Sequence, residues 1–192
     1  MKVISRFLLL SAGTLGLLAS TQAAVETYKI DPVHSSVGFA IRHFFTNVPG
    51  AFTKFSGTIT VDRDHLENSS VTAVIDVGSV DTRTEKRDNH LRSPDFFDAV
   101  KFPSMTFKST AWKQTADGAF DVTGDLTIKD VTKPVVLKVK LLGFGPGMQG
   151  AMLSGWEAST TLNRNDFGIS TYPKMLGDDV AVTLTVEAYQ QK

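Results

Sequence analysis

The stretch Phe120-Asp121-Val122-Thr123-Gly124-Asp125-Leu126-Thr127-Ile128-Lys129 sets an apolar residue or glycine at every even number and a polar residue at every odd one. Successive side chains of a β-strand point to opposite faces, so this alternation describes a strand with one dry face and one wet face. The same spacing of two runs through Val37, Phe39 and Ile41, then Phe55, Gly57, Ile59 and Val61, then Val71, Ala73, Ile75 and Val77. It returns in Met105 and Phe107, and again over Val135 to Leu141, Trp156 to Leu162 and Val180 to Val186. Asp117-Gly118 marks a hairpin between the segments of Trp112 and Phe120. About eight strands joined mostly by short turns, with no alternating helices, predict an all-β antiparallel sheet. An open sheet exposes two unpaired edges, and closure into a barrel removes them.

The main helical exception is Thr82 to Leu91, where Thr82 and Glu85 have the spacing of a capping box. Ser93-Pro94-Asp95 then has the form of a second helical turn, with Ser as cap and Pro at the first helical position. Gly145-Pro146-Gly147-Met148-Gln149-Gly150 matches a dinucleotide fingerprint by letter but joins two strand-like segments and opens no helix, so it reads as a hairpin loop. The acidic pairs Asp178-Asp179 and Asp95 with Asp98 lie beside turns, where carboxylates cap backbone donors.

The 192 residues are 42% hydrophobic and 21% charged, an ordinary globular composition that sets aside disordered and collagenous chains. Lys plus Arg and Asp plus Glu number 20 each, so no bulk field draws in nucleic acid or an anionic membrane surface. Cys is absent, which removes disulfides, thiolate nucleophiles and Cys-ligated metals.

Lys2 and Arg6 precede an apolar run from Phe7 to Leu18, the pattern of a secretory signal peptide. That run falls well short of the roughly 20 residues needed to cross a bilayer. Small residues at Thr21 and Ala23 place cleavage after Ala23. The expected product is residues 24–192, a single soluble exported barrel domain, slightly acidic and without a permanent membrane anchor.

No nucleophile elbow and no phosphate loop occurs. His34, His43, His65 and His90 are too widely spaced for a helical or strand metal site, so hydrogen-bonded histidines at turns and barrel ends are expected, with no metal and no cofactor.

Specific motifs run through the same segments. Tyr28-Lys29-Ile30-Asp31, then His34-Ser35-Ser36-Val37-x-Phe39-x-Ile41-x-His43 and Gly50-x-Phe52-x-x-Phe55-x-Gly57, are followed by Val80-Asp81-Thr82. Arg87-Asp88-x-His90-Leu91-Arg92-Ser93-x-Asp95-Phe96-Phe97-Asp98 and Phe102-Pro103-x-Met105-x-Phe107 come next. Gly124-x-Leu126-Thr127-Ile128-Lys129-x-Val131-Thr132-Lys133-Pro134-Val135, Leu162-x-Arg164-x-Asp166-Phe167-Gly168-Ile169 and Gly177-Asp178-x-Val180 close the series. Together they resemble the YceI-like family of polyisoprenoid-binding proteins over essentially the whole chain after the leader.

The resemblance implies an extended eight-stranded lipocalin-like barrel, in which the helical segment read at Thr82 to Leu91 is a short helix after the third or fourth strand. It also implies an elongated apolar cavity holding a polyisoprenoid chain, with an isoprenoid quinone or isoprenyl phosphate as ligand, in a protein often periplasmic and often a homodimer. Carriage, storage and stress response are the roles that follow. Pattern alone leaves two possibilities open, since an eight-stranded barrel either fills its interior or keeps room for one small ligand. The expected lining is Phe39, Ile41, Phe55, Ile59, Phe107, Phe120, Leu126 and Trp156. A polar head belongs at the mouth, where Arg42, His43, Arg87, His90 and Arg164 are candidates, because burying it without partners is unfavourable. For Arg87 with Asp88 and for Arg164 with Asp166, a structural ion pair or turn brace is expected ahead of head-group binding. A carrier of fatty acids or fatty amides would need the same tunnel. An enzyme acting on an exported lipid is the reading from another class, and no recognisable catalytic set supports it.

Overall fold

In the computed structural model, which describes residues 25–191, the alternating segments form eleven strands. The predicted leader and its cleavage point lie outside the described residues. The order is β1 (Glu26–Ile30), β2 (Ser36–His43), β3 (Thr46–Phe52), β4 (Phe55–Val61), β5 (Ser70–Asp76), β6 (Val80–Asp81), α1 (Glu85–Arg92), β7 (Ser104–Ala116), β8 (Ala119–Ile128), β9 (Val131–Pro146), β10 (Met152–Asn163) and β11 (Leu176–Gln190). Neighbouring pairs are antiparallel, and the ring β1-β4-β5-β7-β8-β9-β10-β11 closes through pairing of β11 back to β1, giving eight strands. The remaining three, β2, β3 and β6, carry the paths of β1, β4 and β5 into a second storey above a break in each. Pairing ends at β6 among the described strands, and α1 with the turns that follow it covers that side. The helix thus follows the third long strand path, as the sequence predicts.

Each break is a local hydrogen-bond solution. Between β1 and β2, Ile30 faces Ala188 and Ser36 faces Thr185, so this path is longer than its partner. Ser35 Oγ donates to the Glu187 carbonyl and accepts from the Glu187 N–H, replacing the missing ladder bonds. Asp31 Oδ1 accepts from Val33 N, and Asp31 Oδ2 lies 2.8 Å from His34 Nδ1. Between β3 and β4, Lys54 N donates to Ser79 Oγ and Thr53 N donates to the Ser79 carbonyl.

The hydrogen bond to Asp31, reinforced by its charge, holds His34 above its ordinary value of 6.5. The bond from His34, with that from Val33 N, holds Asp31 below 3.8. A raised histidine stabilises the fold below its unfolded pKa and loses that contribution as pH climbs through the folded one. A lowered aspartate does so above its unfolded pKa and loses it as pH falls. Both contributions are therefore present between about pH 4 and 6.5. NMR titration of His34 is expected to give a midpoint above 6.5, returning to the ordinary value in Asp31→Asn. A wild-type midpoint equal to the variant's would show that the pair does not form in solution. Glu187 Oε1 stands 3.7 Å from His34 Nδ1 on the same outer face, so attraction of both carboxylates to the imidazole accounts for the grouping of the three side chains.

Local expectations fared unevenly. Asp117-Gly118 does turn β7 into β8, with Gly118 at φ 65°, and the Gly145 to Gly150 stretch is a hairpin between β9 and β10. The capping box does not form. Thr84 is the helix N-cap, while the Thr82 N–H and hydroxyl both donate to the buried Asp88 carboxylate. A buried carboxylate needs donors, and Thr82 supplies two of them.

Buried side chains form two clusters along the barrel. One surrounds Tyr28, Trp112, Phe120 and Trp156, and the other Phe52, Phe96, Met105 and Phe167 beneath the helix.

Candidate functional site

A cavity of about 630 Å³, almost wholly apolar in its walls, runs inside the barrel from one cluster to the other. Its two ends differ. Trp112, Val122, Val139 and Trp156 at one end are buried, whereas Ile41, Val48, Leu162 and Val180 toward the other are only half-buried and Tyr172 and Met175 are exposed. The cavity therefore opens between the β2–β3 hairpin and residues 170–175.

Below the closed end lies a polar brace. Tyr28, fully buried, donates its hydroxyl to Glu26 Oε2 at 2.6 Å, and Arg63 donates to both that carboxylate and the Tyr28 oxygen. Burial pushes the Tyr28 phenol up. The Arg63 guanidinium also covers the Phe144 ring at 4.3 Å.

Seven of the eight side chains expected to line a cavity do so: Phe39, Ile41, Phe55, Ile59, Phe107, Leu126 and Trp156. Phe120 is the correction. It is 1% exposed and packs on Trp112 at the closed end, with 5.8 Å between ring centroids, so it does not reach the lumen. Trp112 stands in the lining instead. Simple alternation from Met105 and Phe107 would turn Trp112 outward. Ser109 faces Gly124 and Ala111 faces Thr123, so Thr110 is an extra residue, and this bulge reverses the parity beyond it. Leu142 does the same in β9, where it is turned out to solvent and Phe144 returns to the interior.

The opening gathers His43, Arg87, His90 and Arg164 on the cavity wall. Arg42 is corrected: it alternates with Ile41 and His43, both of which face the lumen, and so points to solvent. Three of the four wall groups are already engaged. Arg87 does not pair with Asp88 but donates from Nε to Thr82 Oγ1 and from Nη2 to the Thr82 carbonyl, each at 2.7 Å. His90 Nε2 is 2.9 Å from Asp95 Oδ2. Arg164 does not pair with Asp166. Its buried guanidinium donates to the carbonyls of Gly177, Ile169 and Thr171 and to Asp178 Oδ1.

At the closed end, Trp112 Nε1, Trp156 Nε1 and Ser154 Oγ are buried without a hydrogen-bond partner. The two indoles meet edge to face, 5.7 Å between ring centroids.

Polar side chains such as Asp121, Thr123 and Asp125 face outward while the lumen is apolar, the reverse of a water-filled membrane pore. These features define a closed antiparallel β-barrel with one elongated apolar chamber open at one end. The chain belongs to the YceI family, since residues 28–188 match the YceI-like domain. Protein YceI of Salmonella arizonae is 40% identical over 180 residues, covering 92% of this chain and 94% of that one. Burkholderia cenocepacia BcnA superposes with a TM-score of 0.76 at 25% identity, over 82% of this chain and 98% of its own. A polyisoprenoid binding domain from Saccharophagus degradans has the same fold, with a TM-score of 0.64 at 14% identity, over 85% of this chain and 98% of that domain.

Proposed function

We propose that the protein is an exported carrier that takes up a polyisoprenoid chain, tail first, into the barrel. The observation that carries this reading is the unbroken apolar chamber, whose size falls within the roughly 300–1,000 Å³ of ordinary ligand pockets. Burying each methylene-sized group in such a chamber is favourable by about 0.8 kcal/mol. Family membership and the polyisoprenoid-binding neighbour support the ligand class, and the leader sequence supports export to the periplasm. Neutral heads, a quinone or an isoprenoid alcohol, suit the opening, because Arg87 and Arg164 already donate to protein acceptors and have less to offer a phosphate. Binding rather than catalysis is the activity assigned.

Organic extraction of protein purified without detergent, followed by mass spectrometry, tests this directly. Wild type is expected to release an isoprenoid, and Ala158→Trp, which fills the lumen from the middle of β10, should lower occupancy by about tenfold or more with an unchanged circular dichroism spectrum. An extract lacking lipid would overturn the carrier reading, and fatty acids or fatty amides alone would replace its ligand class.

A further inference from the structure

The hairpin joining β2 to β3 has a loop of two residues, Phe44 and Phe45, since His43 pairs with Thr46. Two-residue hairpins need positive φ and are normally made by Asn-Gly or Gly-containing pairs. Phe44 stands at φ 47°, a region unfavourable for a bulky side chain. Phe44 is 50% exposed and Phe45 93%. The turn thus gives up favourable local chemistry and in return gains apolar surface in water. Strained backbone of this kind concentrates where function requires it.

A second aromatic with positive φ is linked to the tip through Met175. Tyr172, at φ 56°, is 43% exposed, and Met175 accepts a hydrogen bond through its carbonyl from Phe44 N at 2.9 Å. Tyr172 and Met175 line the opening of the cavity, as do Ile41 and His43 at the base of the hairpin, whereas Phe44 and Phe45 lie outside the lining. The chamber is therefore rimmed by a projecting aromatic tip, with Arg42 and Lys174 exposed next to it.

We propose that the Phe44-Phe45 tip inserts into the interfacial layer of a lipid bilayer and holds the cavity mouth against it, so that the ligand enters and leaves without crossing water. This rests on the carrier reading for its purpose, but the docking stands on the tip itself. Aromatic side chains at a membrane surface bury apolar area at headgroup depth, and adjacent cations favour anionic lipids. A stable contact with a second copy would bury roughly 1,200–2,000 Å², far more than a two-residue tip presents. A bilayer sets no such requirement and offers the source of a water-insoluble chain.

Flotation with phosphatidylcholine vesicles, with and without one-fifth phosphatidylglycerol, tests docking. Wild type should float with both. The double variant Phe44→Gly, Phe45→Asn puts glycine at the one loop position with positive φ and installs the Gly-Asn pair suited to it, so its melting temperature should equal or exceed that of wild type while the vesicle-bound fraction falls by about tenfold. Phe45→Ser, which leaves the strained position untouched, should fall in the same direction. Transfer of a fluorescent prenyl alcohol from donor vesicles should slow in parallel, whereas binding of the same probe added from ethanol should be unchanged. Equal flotation of wild type and variants would overturn the proposal. So would sedimentation velocity showing a dimer that the variants dissociate while vesicle binding persists, which would assign the tip to a second copy. Failure of every form to bind the probe from ethanol, with tip-dependent flotation intact, would remove the carrier reading and leave the docking standing.

Discussion

Arg164→Met is expected to destabilise the barrel by about 3 kcal/mol, read as a drop in the urea midpoint with an unchanged slope. Arg164 is 5% exposed and joins the end of β10 to the segment leading into β11. Its guanidinium satisfies three backbone carbonyls and Asp178, and methionine fills part of the volume but donates nothing. The orphaned carbonyls then account for most of the loss. Arg164→Lys should fall between the two, because an ammonium carries three donors but lacks the planar fork that reaches Gly177 and Ile169 together. A midpoint for Arg164→Met equal to wild type would show that these carbonyls find other partners. The same test bears on the opening of the cavity, since Arg164 also holds the Thr171 carbonyl at 2.9 Å and Thr171 adjoins Tyr172 on the rim.

Gly124→Ala is expected to cost about 2 kcal/mol and to reduce ligand occupancy. A Cβ at Gly124 would lie 2.4 Å from Phe107 Cζ and 2.7 Å from the Lys108 carbonyl oxygen. The ring can rotate away, but only into the lumen that Phe107 lines. The carbonyl belongs to the neighbouring strand and moves only with the ladder. Adding Phe107→Leu to Gly124→Ala should therefore recover part of the loss in denaturation and none of the backbone component, giving a coupling measurable in a double-mutant cycle. Complete additivity would show that ring and glycine do not share this space. Gly50 is related to Phe39 in the same way, with Cζ 2.3 Å from the position of a Cβ. In both places the end of the phenylalanine ring rests over a glycine of the adjacent strand, in the space a Cβ would take.

Much of this was legible in the sequence because strand periodicity is a short-range signal. The alternation around Phe120 to Lys129 and the hairpin at Asp117-Gly118 needed no knowledge of partners, and closure of eight strands follows from the sheet's need to protect its edges. Parity fails at bulges. Thr110 and Leu142 carry no composition that marks them as extra residues, so Trp112 and Phe144 could not be placed by counting. Phe120 was misplaced for another reason: alternation tells which side chains face inward but not how far along the axis the cavity extends. Arg42 was within reach, because it is out of phase with Ile41 and Phe39. Arg87 and Arg164 brace the chain as their spacing suggests, but the partners chosen in the fold are Thr82, Asp178 and backbone carbonyls rather than the carboxylates adjacent in sequence. Those choices depend on which unsatisfied group the chain buries nearby, a three-dimensional condition that spacing does not encode.

The placement of the two indoles gives the molecule an optical property. Trp112 and Trp156 are the only tryptophans in the chain, and both stand on the wall of the chamber with their N–H groups unpartnered. All of the intrinsic indole emission therefore originates beside the lumen, and its wavelength and yield respond to whatever reaches that end. The barrel can be excited in the near ultraviolet and its filling followed in real time, without a dye and without altering a residue.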